Sequence, residues 1–356
     1  MRMAARWWRR GDGDSSGNSR PAENDDITAL PAGKVLALRQ HQPLQVPFTD
    51  AVMLNASIGF DGTAVCLWAA PGDADALRGA SPDPGGAYFP DSVSTGPVPA
   101  VVTLQSSGPA QVIALPDLPF AHAKVQPLPD GGILLAGARC YYDHDTRRAE
   151  HNAAIFDDDG RLLRSGSLGD GIAHLRVTRA GKIWVGYFDE GIFGNYGWGE
   201  SGGPDPIGRA GLVRFGADLV KEWELPCDDE TIPSNTDCYA LNVYGNTLWT
   251  SYDGDFPVVR VNDDVLTVWR NGERPDPVSV LLVADATAGL LSFPKAGARV
   301  VLADLSDGEV VPRSTAAIAV DHRALTTRDL KFVAEGSSLH GFGGGWWFRA
   351  DLDDVA

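Results

Sequence analysis

The feature that most constrains this chain is a recurrence of short strands. Residues 173–226 contain HLRVTRAGKIWVGYFDEGIFG, a glycine-rich interruption, and then AGLVRFGADLVKEWELP. In 182–187, 212–215 and 219–225 the apolar and aromatic residues lack the three-to-four spacing of an amphipathic helix. Gly216-Ala217-Asp218 supplies a tight reversal between the last two runs. The pattern is strand–turn–strand, loop, strand–turn–strand, which describes one four-stranded antiparallel unit. Such a unit has apolar faces to hide, so copies of it must pack on one another.

Copies are readable on both sides. Residues 51–116 offer strands at 52–58, 64–68, 101–104 and 111–115, with a Pro/Gly/Ser/Asp-rich insertion at 70–99. Residues 122–168 offer AKVQPL, GILLAGARC, AAIFD and RLLRSGSL, separated by turns such as Pro129-Asp130-Gly131. A further unit at 238–272 reads CYALNVYG, NTLWTSYDG, PVVRVND and VLTVWRNG, and superposing its turns on those of 173–226 aligns Trp249 with Trp184 and Tyr252 with Tyr187. A fifth unit is predicted over 278–311. A sixth is predicted over 316–352, from AAIAVD, LKFVAEG, SSLHGFG and GWWFRADL. The apolar segment 34–48 has no hairpin partner beside it, and it is expected to return to the edge of the last unit and close a circle. Residues 1–29 are too polar to offset the cost of ordering and read as a disordered leader, leaving 30–356 as a single domain.

The abundance of turn formers, 41 Gly and 24 Pro, fits many short strands better than long helices. The formal charge of -17 opposes general binding to nucleic acid or to an anionic membrane surface. The sequence holds no 18-residue apolar run to span a membrane, and the basic opening lacks a following signal-peptide core, so the expected location is cytoplasmic.

The stretch Ala180-Gly181-Lys182-Ile183-Trp184-Val185-Gly186, followed by Asp189-Glu190-Gly191-Ile192-Phe193-Gly194 and echoed at 246–253, resembles NHL-like and two-component-regulator-like blades. The resemblance implies an all-β fold, a six-bladed β-propeller of four-stranded antiparallel sheets whose N-terminal strand closes the last blade. Related propellers include interaction modules, sugar or peptide binders, lactonases and lyases, so the fold alone does not choose a function.

In a propeller the first strand of each blade faces a central channel. Lys124, His174 and Tyr239 fall at comparable inward positions, with His122 and Asp237 at the beginnings of their strands. His174 is the leading chemical candidate, because Asp170 in GDGIAHL stands close enough in sequence to orient or charge its imidazole. The plainer reading is a histidine hydrogen-bonded inside a blade. Tyr187 is a candidate for an aromatic wall. Asp189 and Glu190 are either solvated turn charges or ligands for a hard divalent ion. Calcium-dependent lactonase-like propellers use a central Glu/Asn/Asn/Asp set, and Glu190, Asn195, Asn242 and Asp237 supply those residue types in a different order.

Three functions are therefore expected to compete. The first is a small-molecule or peptide binder using His122, Lys124, Tyr187, Asp237 and Tyr239. The second is a Ca(II)-dependent ester or lactone hydrolase with His174 and Asp170 as catalytic groups and Glu190, Asp237 and Asn242 on the metal. The third is a protein-interaction scaffold acting through its rim loops.

Overall fold

A computed structural model describes residues 33–82, 88–199, 203–272, 277–293, 297–322 and 324–355. The leader expected at 1–29 lies outside the described residues. Six four-stranded antiparallel blades follow one another along the chain. Blade 1 is Val52–Ile58, Ala64–Ala69, Val93–Gln105 and Gln111–Phe120. Blade 2 is Ala123–Pro127, Ile133–Gly137, Ala153–Phe156 and Leu162–Gly166. Blade 3 is Ile172–Val177, Ile183–Tyr187, Leu212–Phe215 and Lys221–Glu224. Blade 4 is Cys238–Tyr244, Thr247–Tyr252, Val258–Asn262 and Val265–Trp269. Blade 5 is Val280–Ala284, Thr287–Ser292, Arg299–Ser306 and Glu309–Val320. Blade 6 takes Lys331–Glu335, Ser338–Gly343 and Trp346–Asp351 from the C-terminal end, and its fourth strand is Val35–Pro43. The first strands touch in cyclic order, each blade to the next and the sixth back to the first, so the sheets form a closed β-propeller.

The core explains the ring. The second strand of a blade is buried on both faces because each face meets a different neighbour. In Ile133–Gly137, for example, Ile133 and Leu135 pack toward blade 1 while Leu134 and Ala136 pack toward blade 3. Alternate side chains of a strand point to opposite faces, so an unbroken apolar run serves two interfaces. Every junction between neighbouring blades has such a cluster, including the one between blades 6 and 1 built on Ile58, Trp68, Phe342 and Trp347.

The repeat seen in the sequence survives as register. Trp184 stands opposite Arg176 of its first strand and Trp249 opposite Asn242 of the next. Each tryptophan meets one from its blade's outer strand, Trp184 with Trp223 and Trp249 with Trp269, beneath the guanidinium of Arg214 or Arg260.

The structure corrects the expected edge of blade 6. Residues 316–320 continue the outer strand of blade 5, a single 12-residue strand. It reads as two because Pro312 interrupts it, and Pro312 sits at a register shift opposite Leu302 and Ala303, where a missing N–H is tolerated. The far end of that strand runs parallel to Val35–Pro43, which on its other side pairs antiparallel with Trp346–Asp351. The closing strand therefore joins blades 5 and 6 into one eight-stranded sheet.

The insertion in blade 1 is ordered where described. It carries a short helix, Pro71–Ala76, and a ribbon of Ala80–Pro82 with Tyr88–Pro90, and it returns to the body where the Leu77 and Ser92 carbonyls accept from the His122 and Ala121 amides.

Candidate functional site

The first strands all run from one mouth of the channel to the other, so their early residues share one end and their late residues the opposite end. Three of them carry the same irregularity near the start. The register slips at Leu54 in blade 1, Ala173 in blade 3 and Tyr239 in blade 4. A bulge re-aims the side chains around it. It also sets the equivalences: His174 corresponds to Asn55 and Ala240, while Tyr239 corresponds to Ala173. Tyr239 is thus one residue out of step with His174, contrary to the sequence alignment, and it packs edge-on against Phe256.

Partway along the axis lies a cavity of about 100 Å³ to which all six blades contribute. Asn55 and Ser57 come from blade 1, Lys124 from blade 2, His174 and Arg176 from blade 3, Leu241 from blade 4, Ser279 beside the first strand of blade 5, and Lys331 from blade 6. Lys124 and Lys331 have no hydrogen bond or ion pair to another described residue, and no carboxylate lines the cavity. Lys331 is exposed and Lys124 half-buried. Burial brings Lys124 down to about 8, and burial with repulsion from Lys124 brings Lys331 down to about 7. The His174 imidazole is held to about 3 by burial first and by Lys124 second, against the pull of backbone groups at Tyr239 and Cys238. It is neutral at physiological pH and suited to hydrogen bonding rather than to proton transfer near neutrality.

Beside and beyond the cavity, side chains tie the blades together. Arg176 Nη1 donates to the Ile58 carbonyl at 2.8 Å and Nη2 to the Ala334 carbonyl at 2.9 Å. Gln126 donates to Ser57 Oγ and accepts from the Val177 amide at 3.2 Å. Asn242, fully buried, donates to the carbonyls of Leu281 and Gly336, each at 2.8 Å, and accepts from the Gly336 amide at 2.9 Å.

The opposite mouth is rich in carboxylates. Arg139, only 1% exposed, bridges Asp170 at 2.8 Å and Glu190 at 2.6 Å, and its guanidinium lies 4.0 Å from the Tyr196 ring centroid. Asp170 also accepts from the Cys140 amide at 2.9 Å. Burial pushes the Asp170 carboxyl up, while Arg139 and the Cys140 amide pull it back. Nearby, Asp237 is raised to about 7, chiefly by burial and then by Asp189 and Asp253.

Several sequence-derived roles change in this geometry. Asp170 does not orient His174; it is held by Arg139 and the Cys140 amide of blade 2, and it brackets blades 2 and 3. Tyr187 is no channel wall, because it is fully buried and its hydroxyl donates to the Leu168 carbonyl. His122 is half-buried, with Nε2 2.8 Å from the Gly79 carbonyl of the insertion. Glu190, Asp237 and Asn242 do not form one Ca(II) ligand set: Glu190 is paired with Arg139, and the Asn242 amide is used up at the far end of the channel. Among the described residues no group of three or more His, Cys, Asp or Glu side chains is arranged to hold a metal ion.

Sequence reasoning missed Lys331, Arg176 and Arg139. For Lys331 a signal was present, since AKVQP and LKFVAE both place lysine second in the inner-strand segment. For the two arginines the partners are backbone and carboxylate groups on other blades, which no local motif reports.

A roomier hollow of about 340 Å³ lies off the axis between blades 3 and 4. Its one cation, Arg209, is already paired with Asp205, so the smaller axial cavity holds the unpaired chemistry.

A family model described as the YxzG family matches residues 219–315, from the outer strand of blade 3 into the outer strand of blade 5. Among curated protein sequences none matches the chain. The solved structures it is similar to include a catalytically inactive virginiamycin B lyase from Staphylococcus aureus with quinupristin, 9% identical with a TM-score of 0.43, covering 87% of this chain and 98% of that one. Hsv2 from Kluyveromyces lactis is 10% identical with a TM-score of 0.45, covering 85% and 75%. The extracellular domain of BT4673 from B. thetaiotaomicron is 10% identical with a TM-score of 0.40, covering 88% and 42%. At these identities and TM-scores the likeness transfers no ligand or activity. The expected cytoplasmic location is overturned, because the similar structures include extracellular domains. No helix among the described residues is long and apolar enough to cross a membrane, and that assigns no compartment.

Proposed function

We propose that this propeller binds a small molecule in its axial cavity. The observation that carries this reading is the convergence of six blades on a space whose lysines have no internal partner. Charges confined in a cleft without a partner are incompletely solvated, and perturbed groups of this kind cluster at functional sites. The cavity is smaller than the 300–1,000 Å³ typical of sites that enclose a drug-sized ligand, so it suits a small molecule or the end group of a larger one rather than a folded partner. Hydrolysis through Ca(II) is not supported, since the residues expected to hold the ion do not assemble.

Saturation-transfer NMR against small metabolites and short peptides tests the proposal. Small molecules should bind, and Ser279→Phe, which fills the cavity, should abolish their binding while the fold persists. Retention of that binding in the filled variant would overturn the assignment.

A further inference from the structure

The next inference rests on the axial cavity being the ligand site and concerns the chemistry of what it takes. We infer that the cavity binds the anionic group of its ligand, a carboxylate, sulfate or phosphoryl head, seated on the arc formed by Lys331 of blade 6, Asn55 of blade 1 and Lys124 of blade 2.

Three observations converge on this. First, the charge of the cavity opposes that of the chain. The sequence carries 47 acidic residues against 30 Lys plus Arg, yet the ionisable side chains lining this space are Lys124, Lys331, Arg176 and a neutral His174. A metal cation or an ammonium ligand would be repelled there, and an uncharged polyol would find donors but few acceptors. Second, the cations are not equivalent. Arg176 is committed to the Ile58 and Ala334 carbonyls, with Glu335 nearby, whereas the two lysines and the Asn55 amide have no hydrogen bond to any described residue. The three free donors lie on adjacent blades, so they form a contiguous arc on one side of the axis. Third, the space is small. At about 100 Å³ it holds roughly three waters' share of liquid volume, or one oxyanion head, and the rest of a larger ligand must project toward the mouth.

The groups facing the lysines set the pH response. Lys331 faces Lys124, Cys66 and Arg78; Lys124 faces Lys331, His174 and His122. Apart from the buried Cys66 thiol, which is itself pushed up to about 12, the neighbours are cationic or neutral bases. Burial of both amines, with repulsion from Lys124 added at Lys331, leaves them partly unprotonated between about pH 7 and 8, and a bound anion restores their protons. Binding therefore takes up protons between about pH 7 and 9 and weakens as pH rises through that window.

The test is calorimetric titration of the full chain with sulfate, whose charge is constant across pH 6–9, beside acetate and neutral acetamide. Sulfate and acetate should bind saturably, acetamide should not, and sulfate affinity should fall at least tenfold from pH 6.5 to 9 with proton uptake visible in buffers of different ionisation heat. Lys124→Met and Lys331→Met should each cost about tenfold or more and the double variant should abolish binding, with the fold verified by circular dichroism. Lys182→Met, on the outer body beside Glu222, should change nothing. Sulfate binding that persists in the double variant, or that ignores pH, would overturn the inference. If neutral probes shift the His174 imidazole resonances and anions do not, the anion claim falls and the axial site stands; if no probe shifts them, both fall.

Discussion

The floor and the middle of the channel are lined by the same kinds of residue and behave as opposites. On the floor, Arg176, Gln126 and Asn242 reach across blade boundaries to backbone groups, and both ends of the Asn242 amide are engaged. In the cavity, Lys124 and Lys331 make no hydrogen bond or ion pair with another described residue. A propeller axis is where first strands approach most closely, so a polar side chain there either ties blades together or waits for a ligand. The difference is visible only in its partners.

That contrast is sharpest in Asn242→Ala. Losing three buried hydrogen bonds to Leu281 and Gly336 should destabilise the protein by about 3–5 kcal/mol, measured by urea unfolding, while the protein that remains folded binds sulfate as before. Arg176→Met should cost less, about 1–3 kcal/mol, because it removes a buried charge together with its bonds. If this variant loses anion affinity as severely as the lysine variants, the division between floor and cavity is wrong.

Asp237→Asn probes the mouth. The carboxyl sits at about 7 in the folded chain against 3.8 when free, so the folded state holds the proton more tightly. Stability from this group is complete below about pH 4 and is lost as pH rises toward 7. The asparagine should remove that slope and leave the variant about 1–2 kcal/mol more stable at pH 8, after allowance for solvent screening. Lys331→Met should give the smallest change in stability, and also a gain, because solvent at this exposed residue screens most of its shift. Its amine sits at about 7 against 10.5 when unfolded, so the unfolded chain holds an extra proton between those values and wild-type stability climbs with pH across that window. Thermal melts should show the methionine variant ahead at pH 6 and level with wild type above about pH 10.5. A group that weakens the fold while serving a ligand is the usual signature of a functional site.

The architecture was legible because it rests on local, repeated cues. Short apolar runs without helical spacing and glycine turns mark each blade, Trp184 and Trp249 recur in register, and the unpartnered segment 34–48 finds its place at the seam. The sixth blade was misdrawn because Pro312 looks like a strand end from within the sequence and is a tolerated bulge within the sheet. The site was less legible for a related reason. Asp170 and His174 are neighbours in sequence, yet a bulge at Ala173 and the pull of Arg139, 31 residues before Asp170, send their side chains to different company. Asn242 and Lys331 are both polar residues of inner strands, and nothing local distinguishes a strut from a receptor. Tyr187 looked like a channel aromatic, but its strand is second in the blade and packs among neighbours on both faces.

The most direct measurement of that distinction is a pH titration of the side-chain resonances of isotope-labelled lysine, assigned with the Lys124→Met and Lys331→Met variants. The expected result is two amines with midpoints near 8 and near 7 in the free protein, both moving upward when sulfate is added. Two amines titrating near the ordinary 10.5 and indifferent to sulfate would contradict the account, because the cavity would then hold no unpaired, confined cations for a ligand to complete.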